Sequence, residues 1–146
     1  MKIKKYALGI LCVLGVMGIC ACSANSVQYD NYHKEVNNLY DKIVTTGAII
    51  DNIDTDSDKC EEELYASLDE LKEAFDEFAK VDTPKEFTDC KILAENASTY
   101  ITNSEKCFKQ AFDDGFNEDM FNTGVSNYNE VIKCVNTMGE ILQNKK

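Results

Sequence analysis

The sequence predicts an all-α protein, an antiparallel up-down-up-down four-helix bundle that follows a cleaved N-terminal segment. Three observations carry this. Apolar residues recur at alternating steps of three and four along four separate stretches, the period of a helix with one buried face. No stretch alternates apolar and polar as a half-buried strand does. The breaks between stretches are short, and short connections make consecutive helices antiparallel neighbours. At 146 residues the chain fits one domain, long enough to hide about two thirds of its unfolded surface.

The first helix is read from Tyr29, Tyr32, Val36, Leu39, Ile43, Thr46, Ile50 and Ile53, with Thr46 the one polar step on the stripe. The second follows Cys60, Leu64, Leu68, Leu71, Phe75 and Phe78, with Glu and Lys on most other faces. Thr83-Pro84-Lys85-Glu86 then has the pattern of a capped helix start, with Thr83 as N-cap, Pro84 in the first helical position and Glu86 closing a capping box. The third stripe runs from Phe87 and Cys90 through Ala94, Ala97, Ile101, Ser104 and Cys107 to Phe108 and Ala111, and Gly115 is its predicted stop. The fourth runs through Phe121, Gly124, Tyr128, Val131, Val135, Met138 and Leu142. The expected helices have roughly 23 to 30 residues and connections of about four. Gly47, Gly124 and Gly139 fall inside helices, where each costs about 1 kcal/mol relative to Ala unless it lets two helices approach closely.

Ahead of the bundle, Met1 to Lys5 carries three lysines and Tyr6 to Ile19 is a run of apolar or small residues. That is the layout of a secretory signal peptide, and the run is shorter than a spanning helix needs. Its exit, Ile19-Cys20-Ala21-Cys22-Ser23, resembles the lipobox of bacterial lipoproteins. The resemblance implies lipid on Cys22 and cleavage before it, with Cys20 the rival acceptor disfavoured because it would put bulky Ile19 at the position where the lipobox calls for Gly, Ala or Ser. It divides the chain into a signal peptide over 1–21, a lipidated Cys and short tether over 22–28, and the bundle over 29–146. It also implies a lipid bilayer as partner and the extracytoplasmic face of the cell membrane as location, because two or three acyl chains hold a protein far more firmly than one.

Composition narrows the chemistry. With 15 lysines, no arginine, 26 acidic residues and a formal charge of -11, the chain repels a phosphate backbone, which argues against nucleic acid as a partner. Removing 1–21 takes three lysines and no acids, leaving 12 lysines against 26 acids, a formal -14. Up-down-up-down topology gathers Asp51, Asp54, Asp56, Asp58, Asp113, Asp114, Glu118 and Asp119 at the end far from the tether, and Thr83, Lys85, Lys145 and Lys146 at the near end. The chain is thus expected to be polarised, with a Lys pair toward anionic headgroups.

Asp54-Thr55-Asp56-Ser57-Asp58 has the alternating carboxylates that open an EF-hand loop, but Lys59 stands where the turn needs Gly and Tyr65 where the bidentate Glu belongs. A solvated turn is expected there, with Asp54, Asp56, Asp58, Asp113 and Asp114 as weak metal candidates. His33 has no second His, Ser or Cys at helical spacing and reads as a surface residue.

Cys60, Cys90, Cys107 and Cys134 stay with the mature chain, and in an exported protein four cysteines allow three disulfide connectivities. Measured from the far end at about 1.5 Å per residue, Cys60 lies about 3 Å deep, Cys107 about 9 Å, Cys134 about 24 Å and Cys90 about 35 Å. This favours Cys60 with Cys107, makes Cys90 with Cys134 the second choice, and leaves buried free thiols as the alternative. No close Cys pair suggests zinc.

The sequence offers no residue set for catalysis and implies no cofactor. It points to a non-catalytic interaction or structural module at the cell envelope that captures a cationic peptide or basic protein by its acidic surface. The alternative is a small-ligand or divalent-cation-binding lipoprotein using the bundle interior or the acidic far end.

Overall fold

The computed structural model describes residues 27–54, 57–113 and 115–144. Expectations for the signal segment 1–21, Cys22, most of the tether, Asp56, Asp114, Lys145 and Lys146 lie outside the described residues. Within them are four helices, α1 (Val27–Asp51), α2 (Cys60–Phe78), α3 (Thr88–Phe112) and α4 (Glu118–Asn144), and no strand. The spacing that predicted them is the spacing that is buried: Tyr32, Val36, Leu39, Ile43, Thr46 and Ile50 face inward on α1, and Leu64, Leu68, Leu71, Phe75 and Phe78 on α2. No helix among the described residues is long and apolar enough to cross a membrane.

Each consecutive pair is antiparallel. Tyr32 packs on Phe78 with ring centroids 5.7 Å apart, and Gln28 Nε2 donates to Asp82 at 3.0 Å, which aligns the start of α1 with the end of α2. Asp76 accepts from Ser98 Oγ at 2.6 Å across α2 and α3, and Lys109 Nζ lies 5.2 Å from the Tyr65 ring nearer the other end. α3 and α4 are packed most closely. Their contact carries small groups: the buried Ser104 Oγ donates to the Gly124 carbonyl at 2.8 Å, and a Cβ on Gly124 would come within 2.8 Å of the Phe108 ring. α1 meets α4 by side chains, with Val36, Leu39 and Ile43 facing Val135, Met138 and Leu142 around a void of about 10 Å³, too small for more than one water. At this contact the side chains leave no room for a small ligand.

Three local expectations are corrected. The connection between α1 and α2 spans residues 52–59, twice the expected length, and α2 has 19 residues. The capping box is not formed. Pro84 instead leads a 3₁₀ turn, Lys85–Phe87, before α3 begins at Thr88, and no side-chain cap bond closes either start. The Thr83 hydroxyl donates backwards to the Val81 carbonyl at 3.0 Å. The cause is Phe87: only 3% exposed, it stacks on Tyr32 at 5.3 Å and meets Tyr29 edge-on at 6.4 Å. The tighter turn, closed by Phe87 N–H to the Pro84 carbonyl at 2.8 Å, swings that ring into the core, and burial of an aromatic side chain outweighs the roughly 1 kcal/mol of a cap. Gly115 does stop α3: its φ of +107° is left-handed, a conformation glycine adopts at no steric cost. The α4 start carries a cap that the apolar pattern did not reveal, with Asn117 Oδ1 accepting from the Met120 N–H at 3.1 Å.

The Asp76 cluster yields a pH prediction. Hydrogen bonds from Lys72 Nζ, at 2.6 Å, and then from Ser98 hold its carboxyl below the ordinary value of 3.8. A depressed folded-state value gives stability that is fully present above about pH 4 and is lost as pH falls through the lowered value. The side chains are 36% and 38% exposed, so solvent screening keeps the pair within about 1 kcal/mol. In urea titrations between pH 5 and 2.5, Asp76→Asn is expected to flatten part of the acid loss of stability seen in the native chain.

Candidate functional site

The acidic far end is assembled by topology, since α1 and α3 finish there and α2 and α4 begin there. Its turn is held by backbone, with Ser57 N–H donating to the Asp54 carbonyl at 3.0 Å and Lys59 N–H to Ser57 Oγ at 3.2 Å. Asp58 and Asp113 are exposed. Among the described residues no three His, Cys, Asp or Glu side chains converge as metal donors, so the structure does not bring Asp54, Asp58 and Asp113 together as a ligand set. What fills this end is aromatic: Phe108, Phe112, Phe116 and Phe121 form a ring cluster with centroids 5.3 to 6.0 Å apart.

Among the described residues the near end carries acid as well as lysine. Asp30, Asp82, Glu86 and Asp89 are exposed there beside Lys80 and Lys85. α1 and α3 both start at this end, and helix N-termini attract carboxylates through their unpaired N–H groups. Among the described residues acid therefore stands at both poles, while Lys145 and Lys146, on which the expected polarity rests, lie outside them. His33 is also not a plain surface residue: its ring is half-buried against Phe87 at 6.5 Å, and its Nδ1 is buried without a partner.

All four cysteines are free thiols, and the helix registers explain why neither expected pairing forms. With Asp76 opposite Ser98 and Tyr65 opposite Lys109, Cys107 faces residue 67, about seven residues or about 10 Å along the axis from Cys60. With Ser104 opposite Gly124 and Phe108 opposite Phe121, Cys134 faces Ala94, just over one turn from Cys90. Adding an interaxial spacing of about 8 Å exceeds the roughly 7 Å a disulfide spans. Cys90 instead lies fully buried against the Tyr32 hydroxyl. Burial, reinforced by Glu61, pushes the Cys60 thiol up, and burial followed by Glu130 does the same for Cys134, so the thiolate form that reacts is disfavoured at both. Maleimide labelling of the processed protein is expected to modify half-buried Cys60 and Cys107 in the native state and Cys90 and Cys134 only after denaturation. A total of two thiols under denaturing conditions would show a bond.

The feature the sequence did not reveal is a groove of about 470 Å³ between α1 and α2. Glu35 and Asp41 stand on its α1 side and Glu70 and Glu77 on its α2 side, with Lys42 the one cation along it. Asn38 Nδ2 donates to Glu35 at 3.1 Å and steadies that carboxylate. Leu39, Ala74 and Phe78 give it an apolar floor, and Thr46 is on the floor as well. A second groove, of about 710 Å³, lies between α2 and α3 near the far end, where Glu61, Glu105 and Asp113 are offset by Lys106 and Lys109. Burial, followed by Glu61 and Glu105, raises the Tyr65 phenol in that groove to about 12. The first groove is thus the more strongly acidic of the two.

Fold and surface together define the protein as a small four-helix bundle with acidic grooves between its helices. The chain belongs to the family described as domain of unknown function DUF7018, which it matches over residues 26–142. No curated protein and no solved structure matches it. The family match begins one residue before α1 and ends two residues before the last residue of α4, so the family's shared unit is the bundle and the first 25 residues lie outside it.

Proposed function

We propose that this chain is an extracytoplasmic lipoprotein, anchored in the cell membrane through lipid on Cys22, whose bundle is a non-catalytic module that captures a cationic peptide or basic protein. The observation that carries the capture is the acidic groove on an apolar floor between α1 and α2, on a chain with 26 acidic residues against 15 lysines. A bundle of formal charge -14 attracts cationic partners over several ångströms and speeds their encounter, and added salt weakens both effects. A tether over 22–28 would hold that surface close to the bilayer, where exported or incoming cationic peptides pass.

Two measurements test the two halves of this reading. The intact mass of the protein recovered from membranes is expected to be that of residues 22–146 plus diacylglycerol and an acyl chain, and a mass equal to the full chain would refute the anchor. A blocked lysine pentapeptide is expected to bind the processed protein with an affinity that falls steeply between 20 and 300 mM salt. Absence of binding at low salt would refute the capture.

A further inference from the structure

We propose that the groove between α1 and α2 is a binding site for a primary alkylammonium group, supplied either by a free aliphatic polyamine or by the lysine side chain of a peptide. This rests on the reading of the bundle as a cation-capturing module and assigns it a place and a chemistry.

Two independent observations meet in the groove. The first is its charge and shape. Four carboxylates, two from each helix, face one lysine, and the floor between them is hydrocarbon. A bare metal ion would make no contact with that floor, whereas an alkyl chain packs along it while the ammonium stays among the carboxylates, the arrangement that long cationic side chains favour. From Glu35 to Thr46 the groove follows α1 for about 16 Å, long enough to seat an extended polyamine.

The second observation is Thr46. Ser67, Thr99, Thr102, Thr123 and Thr137 each donate a hydroxyl to the carbonyl four residues earlier, at 2.8 to 3.0 Å. Thr46 does not. It is 1% exposed, and its Oγ1 is buried with no hydrogen-bond partner. Buried hydroxyls are almost always paired, and an orphan calls for an explanation. Thr has two accessible χ1 rotamers in a helix, so the oxygen of this floor residue can turn to accept an N–H from a cation lying above it. Valine would fill the same space without the orphan, whereas the threonine hydroxyl offers a bound ammonium a neutral acceptor beneath the carboxylates.

The test is an amide NMR titration of the processed protein in neutral detergent at 0.15 M salt, with spermidine, the blocked lysine pentapeptide and magnesium as separate probes. An amine is expected to give saturable shifts centred on Thr46 and Ala74. Thr46→Val should weaken that binding at least fivefold, and Glu70→Gln with Glu77→Gln at least tenfold. Magnesium should give no saturable shift at Thr46. Tighter spermidine binding assigns the ligand to free polyamines, and tighter peptide binding assigns it to lysine side chains. Shifts scattered over all acidic faces without saturation, or an affinity unchanged in Thr46→Val, would overturn the site. In that event salt-sensitive peptide binding elsewhere on the bundle would leave the broader capture reading standing, whereas a peptide that binds nowhere would end both. Thr46→Val keeps the shape of the floor and is expected to fold, which its thermal transition verifies.

Discussion

Gly124→Leu is expected to destabilise the bundle by about 2 to 4 kcal/mol and to lower its melting temperature on the order of 10 °C. In an isolated helix the change would be favourable by about 1 kcal/mol, because Leu is a better helix former than Gly. The tertiary setting reverses the sign. A Cβ at position 124 would lie 2.8 Å from two atoms of the Phe108 ring, and that ring is 1% exposed and packed on Phe121 at 5.3 Å. It has nowhere to retreat. Separating the helices would also stretch the 2.8 Å bond from Ser104 to the Gly124 carbonyl, and a buried hydroxyl that loses its acceptor costs about 1 to 3 kcal/mol. Thermal unfolding of Gly124→Leu alone and combined with Phe108→Ala separates the clash from any general effect. The double variant should lose less than the sum of the two single losses. Strict additivity would mean that the Phe108 contact is not what excludes a side chain from position 124.

The same residue shows how much of the fold can be read in a linear sequence. Period and phase were legible, because a helix must turn its apolar face inward whatever it packs against, and the stripes through Val36, Leu39 and Ile43 or Leu68, Leu71 and Phe75 are the buried residues. The close approach at Gly124 was legible only as one of two outcomes for a glycine in a helix. Register between helices was not legible at all, since it is set by side chains that meet only in three dimensions, such as Gln28 with Asp82 and Asp76 with Ser98. Both cysteine pairings failed on that account. They were placed by depth along idealised helices, and a slide of a turn or more is enough to move a thiol out of reach.

The groove was hidden for the same reason. Glu35 and Asp41 stand on one helix and Glu70 and Glu77 on another, and nothing in the linear sequence relates the two pairs. Only the antiparallel alignment of α1 with α2 makes them the two sides of one acidic site. Thr46 did stand out in the sequence as the lone polar step on an apolar stripe, which was a signal for an unusual core position without saying what lay over it. The local capping signal at Thr83 failed in the opposite way. It was clear in the sequence, and the burial of Phe87 against two tyrosines overrode it.

Tyr32→Ala is expected to be the most damaging single truncation near the tethered end, at about 3 to 5 kcal/mol, a large part of the roughly 5 to 15 kcal/mol that holds a domain of this kind together. The ring is fully buried, stacks on Phe87 with planes 9° apart, and touches Phe78, so it joins α1 to the end of α2 and to the 3₁₀ turn before α3. Removing it leaves a cavity lined by aromatic rings that cannot collapse onto one another. Tyr32→Phe separates the ring from its oxygen. The hydroxyl has no oxygen or nitrogen partner and faces only the Cys90 thiol, a weak partner, so its loss should change stability by less than about 1 kcal/mol. The two variants also differ with pH. Burial, followed by the charge of Cys90 and its hydrogen bond, pushes the Tyr32 phenol above its ordinary 10.0. A raised folded-state value gives stability that is fully present below pH 10 and is lost as the unfolded chain ionises above it. Native protein should therefore weaken between pH 9.5 and 11.5 by more than Tyr32→Phe, with Tyr65, raised to about 12, contributing equally to both. Denaturant titrations at pH 7 and pH 11 read both effects, and identical alkaline losses in the native chain and Tyr32→Phe would show that the phenol is open to water rather than sealed between α1 and α3.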